Sequence, residues 1–498
     1  MSLNAKTSSL SQKAYTGLFW QGLGFSLTTV LSVAHIVIMA RLLSPDIFGQ
    51  FAVASIVIAL TSIVTEFGLG PALVQKTDIN TEDVSFVFLT NIVIGIVCFA
   101  LIFVFSENIS HALKGSISAV MIQVLALNLI FKPIGLASHA LLLRKMDFHR
   151  IFVATNLSYF LGMIVMGVIL AYMEYGIWSL IIGFVASRAV LSLYYLIVSP
   201  ITLSLNFKFK NCVYLLKYGL GLTSVQGVNQ FSLMADKLIL NHLTTNTFLG
   251  LYERSQRIQQ MPGIFIGGVL DTVMFTALSK LKDNNRVMAN HFFNSIMIVS
   301  LVGCYLGILV YVFSDLIVDI ILGSQWGEAS AVLKLLALLI GFQLIGRLCD
   351  TYVRSAGVFR QSIFVKFLYL VAVFTLAYVG YQLFQVQGVL LGIIIASGIH
   401  SVMMLMVCQR HSGYELSELA RRISPSITLA ALLIAKNILI IPFVQHSTLT
   451  LITTVIASDI LVIAILLSTT FFIGQENRSY IQSRFGELSS LIQNKLKR

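Results

Sequence analysis

Apolar runs of about twenty residues follow one another along the chain, parted by short polar loops, and each is long enough to cross roughly 30 Å of hydrocarbon as a helix. The pattern predicts spans over residues 15–40, 47–66, 84–105, 117–138, 151–172, 176–198, 213–240, 255–277, 292–313, 330–349, 361–383, 387–408, 425–445 and 448–473, about fourteen in all. The expected fold class is an all-α polytopic membrane protein. Basic residues such as Lys13, Lys76, Arg144, Lys145, Arg360 and Arg422 fall in every second connection or in a terminus, whereas Asp46, Glu107, Glu174, Asp315 and Glu328 occupy the loops between. The positive-inside rule then puts both termini in the cytoplasm and favours an even number of spans.

One stretch recurs. Residues 41–76 run from Arg41 through a Pro45/Gly49 turn and a second apolar run to Glu66, Gly68, Gly70 and Pro71. From Asn241 onward a related pattern returns, with Gly250-Leu251-Tyr252 standing 201 residues after Gly49-Gln50-Phe51. Six spans separate the copies, so both have the same orientation and an axis along the membrane normal should relate the halves. The expected organisation is a lobe of six spans over 1–200, a second over 201–410, two extra spans over 411–473, and a cytoplasmic basic amphipathic tail over 474–498.

Composition narrows the functional classes. Hydrophobic residues make up 57% of the 498 and charged residues only 11%, with a mean hydropathy of +0.89. A formal charge of +12 invites a nucleic-acid reading, but the basic residues are scattered among membrane loops and not gathered on a soluble face. The cysteines Cys98, Cys212, Cys304, Cys349 and Cys408 are far apart, with no Cys-x-x-Cys spacing, and read as apolar filler; no metal ligand set and no cofactor are expected. The first apolar run is too long for a secretory signal and should stay in the mature protein. No Gly-Lys-Ser/Thr follows any Gly-x-Gly pair, so no nucleotide site is expected.

Candidate chemistry lies in the polar stripes of the spans. Gln21, Thr28, Ser32 and His35 share one side of the first. In the seventh, Gln226, Gln230 and Lys237 form a stripe beside Asn229, Ser232 and Asp236. The eighth carries Arg254, Arg257, Gln260 and Asp271, and the tenth Gln343, Arg347, Asp350 and Arg354. Lys132, Arg188 and Lys366 stand isolated in apolar runs. A basic group at mid-membrane costs on the order of 2.5 to 3.5 kcal/mol, so such residues face a bundle interior or water. Asp236 with Lys237, Arg347 with Asp350, and Glu66 read equally well as structural ion pairs or rim charges, and a packed side chain is the simpler reading of His35. Lys436 is expected to snorkel to the cytoplasmic surface. What remains is a cationic surplus, with Arg188, Lys237, Arg254, Arg257 and Arg347 the candidates for binding an anion.

The segments ARLLSPDIFGQFAV, TEFGLGPALVQK, MADKLILN, LGLYERSQRIQQMPG and ILGSQWGEASAVLKLLAL together resemble the polysaccharide-transporter branch of the multidrug/oligosaccharidyl-lipid/polysaccharide exporter superfamily, and within it Wzx-type flippases of the colanic acid exporter kind. The likeness covers about residues 10–470. It implies a bacterial inner-membrane transporter with the superfamily's MATE-like fold. That transporter would move a polyprenyl-pyrophosphate-linked oligosaccharide from the cytoplasmic to the periplasmic leaflet by alternating access through a cationic cavity. It marks Asp236, Lys237, Tyr252, Glu253 and Arg254 as motif positions, and it implies a groove for the polyprenyl tail at residues 425–473. Membrane lipids and the polymerase and chain-length proteins of the same pathway are the implied partners. The rival readings are a cation or drug antiporter, a peptidoglycan lipid-precursor flippase, and a membrane glycan polymerase or ligase. The absence of acids from the first span speaks against the antiporter, and the short external loops speak against the polymerase.

Overall fold

Ser44 and Pro45 show how one apolar run hands over to the next. Ser44 is extended, Pro45 takes the first helical position where its missing N–H costs nothing, and Asp46 sits in the positive first turn, where it accepts from the Gln50 amide at 2.8 Å. Similar local chemistry starts the helix at Thr81, where Asn80 and Asp83 form a reciprocal capping box and Lys76 pairs with Asp83 at 2.7 Å.

The computed structural model describes residues 2–204, 209–281, 284–413, 415–440, 454–455 and 457–459. The helices are α1 (Ser2–Leu42), α2 (Pro45–Glu66), α3 (Leu69–Gln75), α4 (Thr81–Val104), α5 (Ser106–Ala112), α6 (Ala119–Ala126), α7 (Asn128–Arg144), α8 (Phe148–Ser158) and α9 (Gly167–Tyr172), followed by α10 (Ile177–Val198), α11 (Phe209–Leu243), α12 (Asn246–Lys280), α13 (Asn285–Val312), α14 (Ser314–Ile321), α15 (Gly327–Ala337), α16 (Leu339–Ala356), α17 (Phe359–Ser412) and α18 (Leu416–Ile440). A π-helical turn, Tyr159–Met166, joins α8 to α9. No strand occurs among the described residues.

Eight helices among the described residues are long and apolar enough to cross a membrane, or nine if α15 and α16, bent by 48°, form one broken span. The longest of them, Arg360–Ser412, is interrupted at Phe384 (φ −134°, ψ 22°) and Gln385 (φ 53°, ψ −137°), between the spans expected at 361–383 and 387–408. There a methyl on Gly380 would collide with the Gly388 carbonyl, and one on Gly388 with the Gly380 carbonyl, so the chain turns back on itself with backbone against backbone. The two 35-residue helices α11 and α12 cover the spans expected at 213–240 and 255–277. The expected span 448–473, apart from a few residues, and the tail 474–498 lie outside the described residues.

The helices group into two units. One holds Met1–Arg254 with Ile317–Ala329 and Val373–Val389; the other holds Ser255–Leu316, Ser330–Ala372 and Leu390–Arg498. In the first, α1 packs on α8, α10 on α7, and α11 on α2 and α3, so α11 groups with the helices of the first 200 residues. A core of Leu69, Leu73, Val84, Phe86, Ala137 and Leu215 ties α3, α4, α7 and α11 together. In the second, α13 packs on both α16 and α18, with Ile308, Leu429 and Leu433 buried at the latter contact.

The internal repeat has a physical counterpart inside the first unit. A methyl on Gly49 would run into the Asn246 carbonyl, and a methyl on Gly250 into the Pro45 carbonyl. Asn246 stands 201 residues after Pro45, as Gly250 does after Gly49, so each copy meets the other through the same two positions. Such exchange of equivalent contacts is the mark of a local two-fold relation.

Candidate functional site

In the first unit the polar residues of α11 and α12 are tied into packing. Asp236 is buried and accepts the Tyr252 hydroxyl at 2.6 Å on one oxygen and the Lys237 backbone N–H at 2.8 Å on the other. Arg254 is 8% exposed. Its Nη2 lies 2.5 Å from the Glu253 carboxylate, and its guanidinium covers the Phe48 ring at 4.3 Å. Phe48 in turn meets Trp326 edge-on at 5.4 Å, and the Trp326 indole donates to the Ala40 carbonyl at 2.8 Å. Gln325 donates to the same carbonyl, and Arg41 to the Ile320 carbonyl at 3.4 Å. Three of the motif segments named above, around Arg41–Phe48, Tyr252–Arg254 and Gln325–Trp326, thus converge on the end of α1.

The other candidates of this unit are dispersed. Arg188 on α10 sits 5.1 Å from the Phe184 ring. His35 is buried 6.0 Å from the Tyr159 ring, Gln21 and Gln226 are exposed, and Gln230 and Lys237 are half-buried. Glu66 ends α2, and its side chain lies outside what the structure describes.

In the second unit the candidates come together. Along one face of α16, Arg347, Asp350, Thr351 and Arg354 succeed one another at helical spacing, and α12 brings Asp271 to them. Arg347 Nε donates to Asp271 Oδ2 at 2.8 Å and its Nη1 to the Gly263 carbonyl at 3.0 Å. Thr351 Oγ1 donates to Asp271 Oδ1 at 2.8 Å, and Arg354 Nη2 reaches the same oxygen at 3.5 Å. A methyl on Gly267 would collide with the guanidinium, so the bare backbone of α12 is what lets Arg347 lie along it. The cluster holds two cations and one anion, and it is open: the side chains of Asp271, Arg347 and Arg354 are 28%, 39% and 50% exposed. Beside it the Gln259 amide donates to Gln343 at 3.0 Å, while Arg257 is exposed and Gln260 half-buried.

Two pairings differ from the sequence expectation. Asp350 does not serve Arg347; it meets Lys366 of α17 at 3.0 Å, because α17 packs on that side of α16 while α12 supplies the carboxylate for Arg347. Lys436 does not snorkel. It donates to Asp459, to the Ser458 hydroxyl at 2.9 Å and to the Val455 carbonyl at 3.3 Å, filling all three ammonium hydrogens. Asp459 is fully buried. Its lone carboxylate in the run 448–473 was the signal for this pair, since an unpaired acid at that depth is not tolerated.

No group of three or more metal-ligating side chains occurs among the described residues. On α14, outside the spans, Asp315 accepts from Lys334 at 2.8 Å, which holds that carboxyl below its ordinary range.

The family model described as "Polysaccharide biosynthesis protein" matches residues 38–331. The lipopolysaccharide biosynthesis protein WzxC of Escherichia coli (strain K12) is 23% identical over 420 residues, 80% of this chain and 81% of that protein. The succinoglycan biosynthesis transport protein ExoT of Rhizobium meliloti (strain 1021) is 25% identical over 335 residues, 67% of each. Among solved structures, the lipid II flippase MurJ in an inward closed conformation superposes with a TM-score of 0.72 at 15% identity, over 91% of this chain and 98% of that one. An inward-facing MATE multidrug transporter of the MOP superfamily gives 0.65 at 13% identity, over 77% and 94%. These likenesses show that the fold is the helical fold of MOP-superfamily transporters. The motif segments that meet around Phe48 and Trp326 lie inside the matched range, which covers more than half of the sequence, and the chain belongs to the polysaccharide biosynthesis protein family.

Proposed function

We propose that this protein carries a polyprenyl-pyrophosphate-linked oligosaccharide repeat unit from the cytoplasmic to the periplasmic leaflet of a bacterial inner membrane, and that it transports and does not catalyse. The observation that carries the reading is the open cluster on α12 and α16, in which two guanidiniums share one carboxylate on helices of a membrane protein. A sugar pyrophosphate cannot give up its water to hydrocarbon, whereas guanidiniums replace lost hydration with charge-assisted, often bidentate hydrogen bonds. The polyprenyl tail stays in the bilayer throughout. With the cytoplasm negative, moving two negative charges outward gains about 4 to 5 kcal/mol per 100 mV, at roughly 2.3 per charge.

In this reading Arg347 and Arg354 hold the phosphates, and Arg257, Lys237 and Arg188 are further candidate anion-binding cations. Gln226, Gln230 and Gln260 meet sugar hydroxyls. Arg254, locked between Glu253 and Phe48, positions its surroundings. The repeat lobes 1–200 and 201–410 alternate access, residues 425–473 accommodate the lipid tail, and both termini face the cytoplasm. Polymerase and chain-length proteins act on the product.

The test is depletion of the protein in its host followed by leaflet-resolved analysis of lipid-linked sugars. Build-up of the lipid-linked repeat unit in the cytoplasmic leaflet, with loss of surface polymer, is the expected result. Accumulation of single units on the outer side would point to a polymerase and end the reading.

A further inference from the structure

Asp271 is a single carboxylate set between two guanidiniums that could each serve a phosphate. One oxygen takes Arg347 Nε at 2.8 Å; the other takes Thr351 Oγ1 at 2.8 Å and Arg354 Nη2 at 3.5 Å. The geometry points to Asp271 as an internal competitor: it occupies the two arginines while the site is empty, yields them to the phosphates of an arriving ligand, and reclaims them when the ligand leaves. This inference rests on the reading of the α12/α16 cluster as the head-group site.

Three observations support the exchange. First, the pair is weak enough to surrender, because all three charged side chains are a quarter to a half exposed, and ion pairs of that exposure contribute little net free energy. A pyrophosphate, with more charge and more acceptor oxygens, outcompetes one carboxylate for guanidinium donors. Second, Arg347 has an anchor that does not depend on Asp271. Its Nη1 donates to the Gly263 carbonyl at 3.0 Å, and the space over Gly267 holds the guanidinium in place. Displacing the carboxylate therefore leaves the arginine presented and not loose. Third, Thr351, itself buried, fixes the other oxygen of Asp271, so the carboxylate has a defined position to return to.

A competitor of this kind lowers apparent affinity by the fraction of time it holds the site, and speeds release by the same means. Removing its charge should tighten binding by about two- to fivefold, the range expected for one partly exposed ion pair. The experiment uses the full-length protein in lipid nanodiscs and measures binding of inorganic pyrophosphate, and of farnesyl pyrophosphate as a lipid-borne source of the same group, by calorimetry. Asp271→Asn should bind both probes about two- to fivefold more tightly than wild type. Thr351→Val, which keeps every charge and frees both the Asp271 carboxylate and the Arg354 Nη2 that Thr351 Oγ1 accepts at 3.1 Å, should gain about two- to threefold and carries the test if Asp271→Asn does not fold. The double variant Asp271→Asn/Arg347→Gln should lose the gain.

Affinity in Asp271→Asn equal to or below wild type, or a gain that survives in the double variant, overturns the inference. If Arg347→Gln abolishes pyrophosphate binding while Asp271→Asn matches wild type, the competitor is gone and the head-group site stands. If Arg347→Gln binds and exports normally, the head-group site itself is wrong.

Discussion

Arg254 on α12 and Arg347 on α16 are both arginines with an acidic partner in reach, and they are held in opposite ways. Arg254 is almost fully covered, with Glu253 at 2.5 Å and the Phe48 ring at 4.3 Å, and its neighbours belong to the packed junction at the end of α1. Arg347 is 39% exposed, shares Asp271 with Arg354, and rests on backbone. The difference teaches that charge in these helices has two uses. Where aromatic and aliphatic groups have closed over a cation, its removal exposes a buried counter-charge and the fold suffers. Where a cation stays open and its partner is exposed too, its removal costs the fold little and its donors can pass from that partner to a ligand.

The comparison can be pressed hardest in the second unit itself, at Lys436 and Asp459. If burial and not position in the chain decides the role, Lys436→Met should strand a fully buried carboxylate and destabilise the protein by about 3 to 5 kcal/mol, seen as loss of folded material on detergent extraction. The double variant Lys436→Leu/Asp459→Leu should recover it. Arg254→Ala should cost about 2 to 3 kcal/mol of stability through the lost ion pair and ring contact, read as a drop in thermal midpoint. Arg347→Gln should shift stability by less than about 1 kcal/mol yet slow export about tenfold or more, read from the amount of surface polymer. Reversed outcomes for these two variants would dissolve the distinction.

The smallest effect belongs to the most exposed pair, Asp315 with Lys334, whose carboxylate side chain is 68% exposed. Lys334 lowers the folded-state pKa of Asp315, so the pair stabilises above the ordinary carboxyl range and the contribution vanishes as pH falls through the lowered value. The thermal midpoint of wild type relative to Asp315→Asn should therefore narrow by about 1 °C between pH 7 and pH 3, solvent screening keeping the difference small.

Much of this architecture is legible in the sequence because hydrocarbon imposes its length on every span. The break at Phe384–Gln385 falls between the runs 361–383 and 387–408, and the Gly49/Gly250 correspondence returns as a physical contact. Pairing was harder to read. Helical phasing places Arg347 beside Asp350 on its own helix but says nothing of which neighbouring helix faces either residue, and α12 and α17 divided them. Lys436 was read alone because its partner lies in another apolar run. Arg254 was grouped with the ligand-binding cations since nothing local to it announces that Phe48, from α2, will cover it.

The crossing of Gly49 and Gly250 also bears on how a duplicated chain can diverge. At most contacts between two copies, a larger group on one side is absorbed by a smaller one opposite. Here the obstacle on each side is the other copy's peptide carbonyl, which every amino acid carries, so no second-site exchange of side chains can make room. These two positions are therefore tied to each other for as long as the crossing is kept.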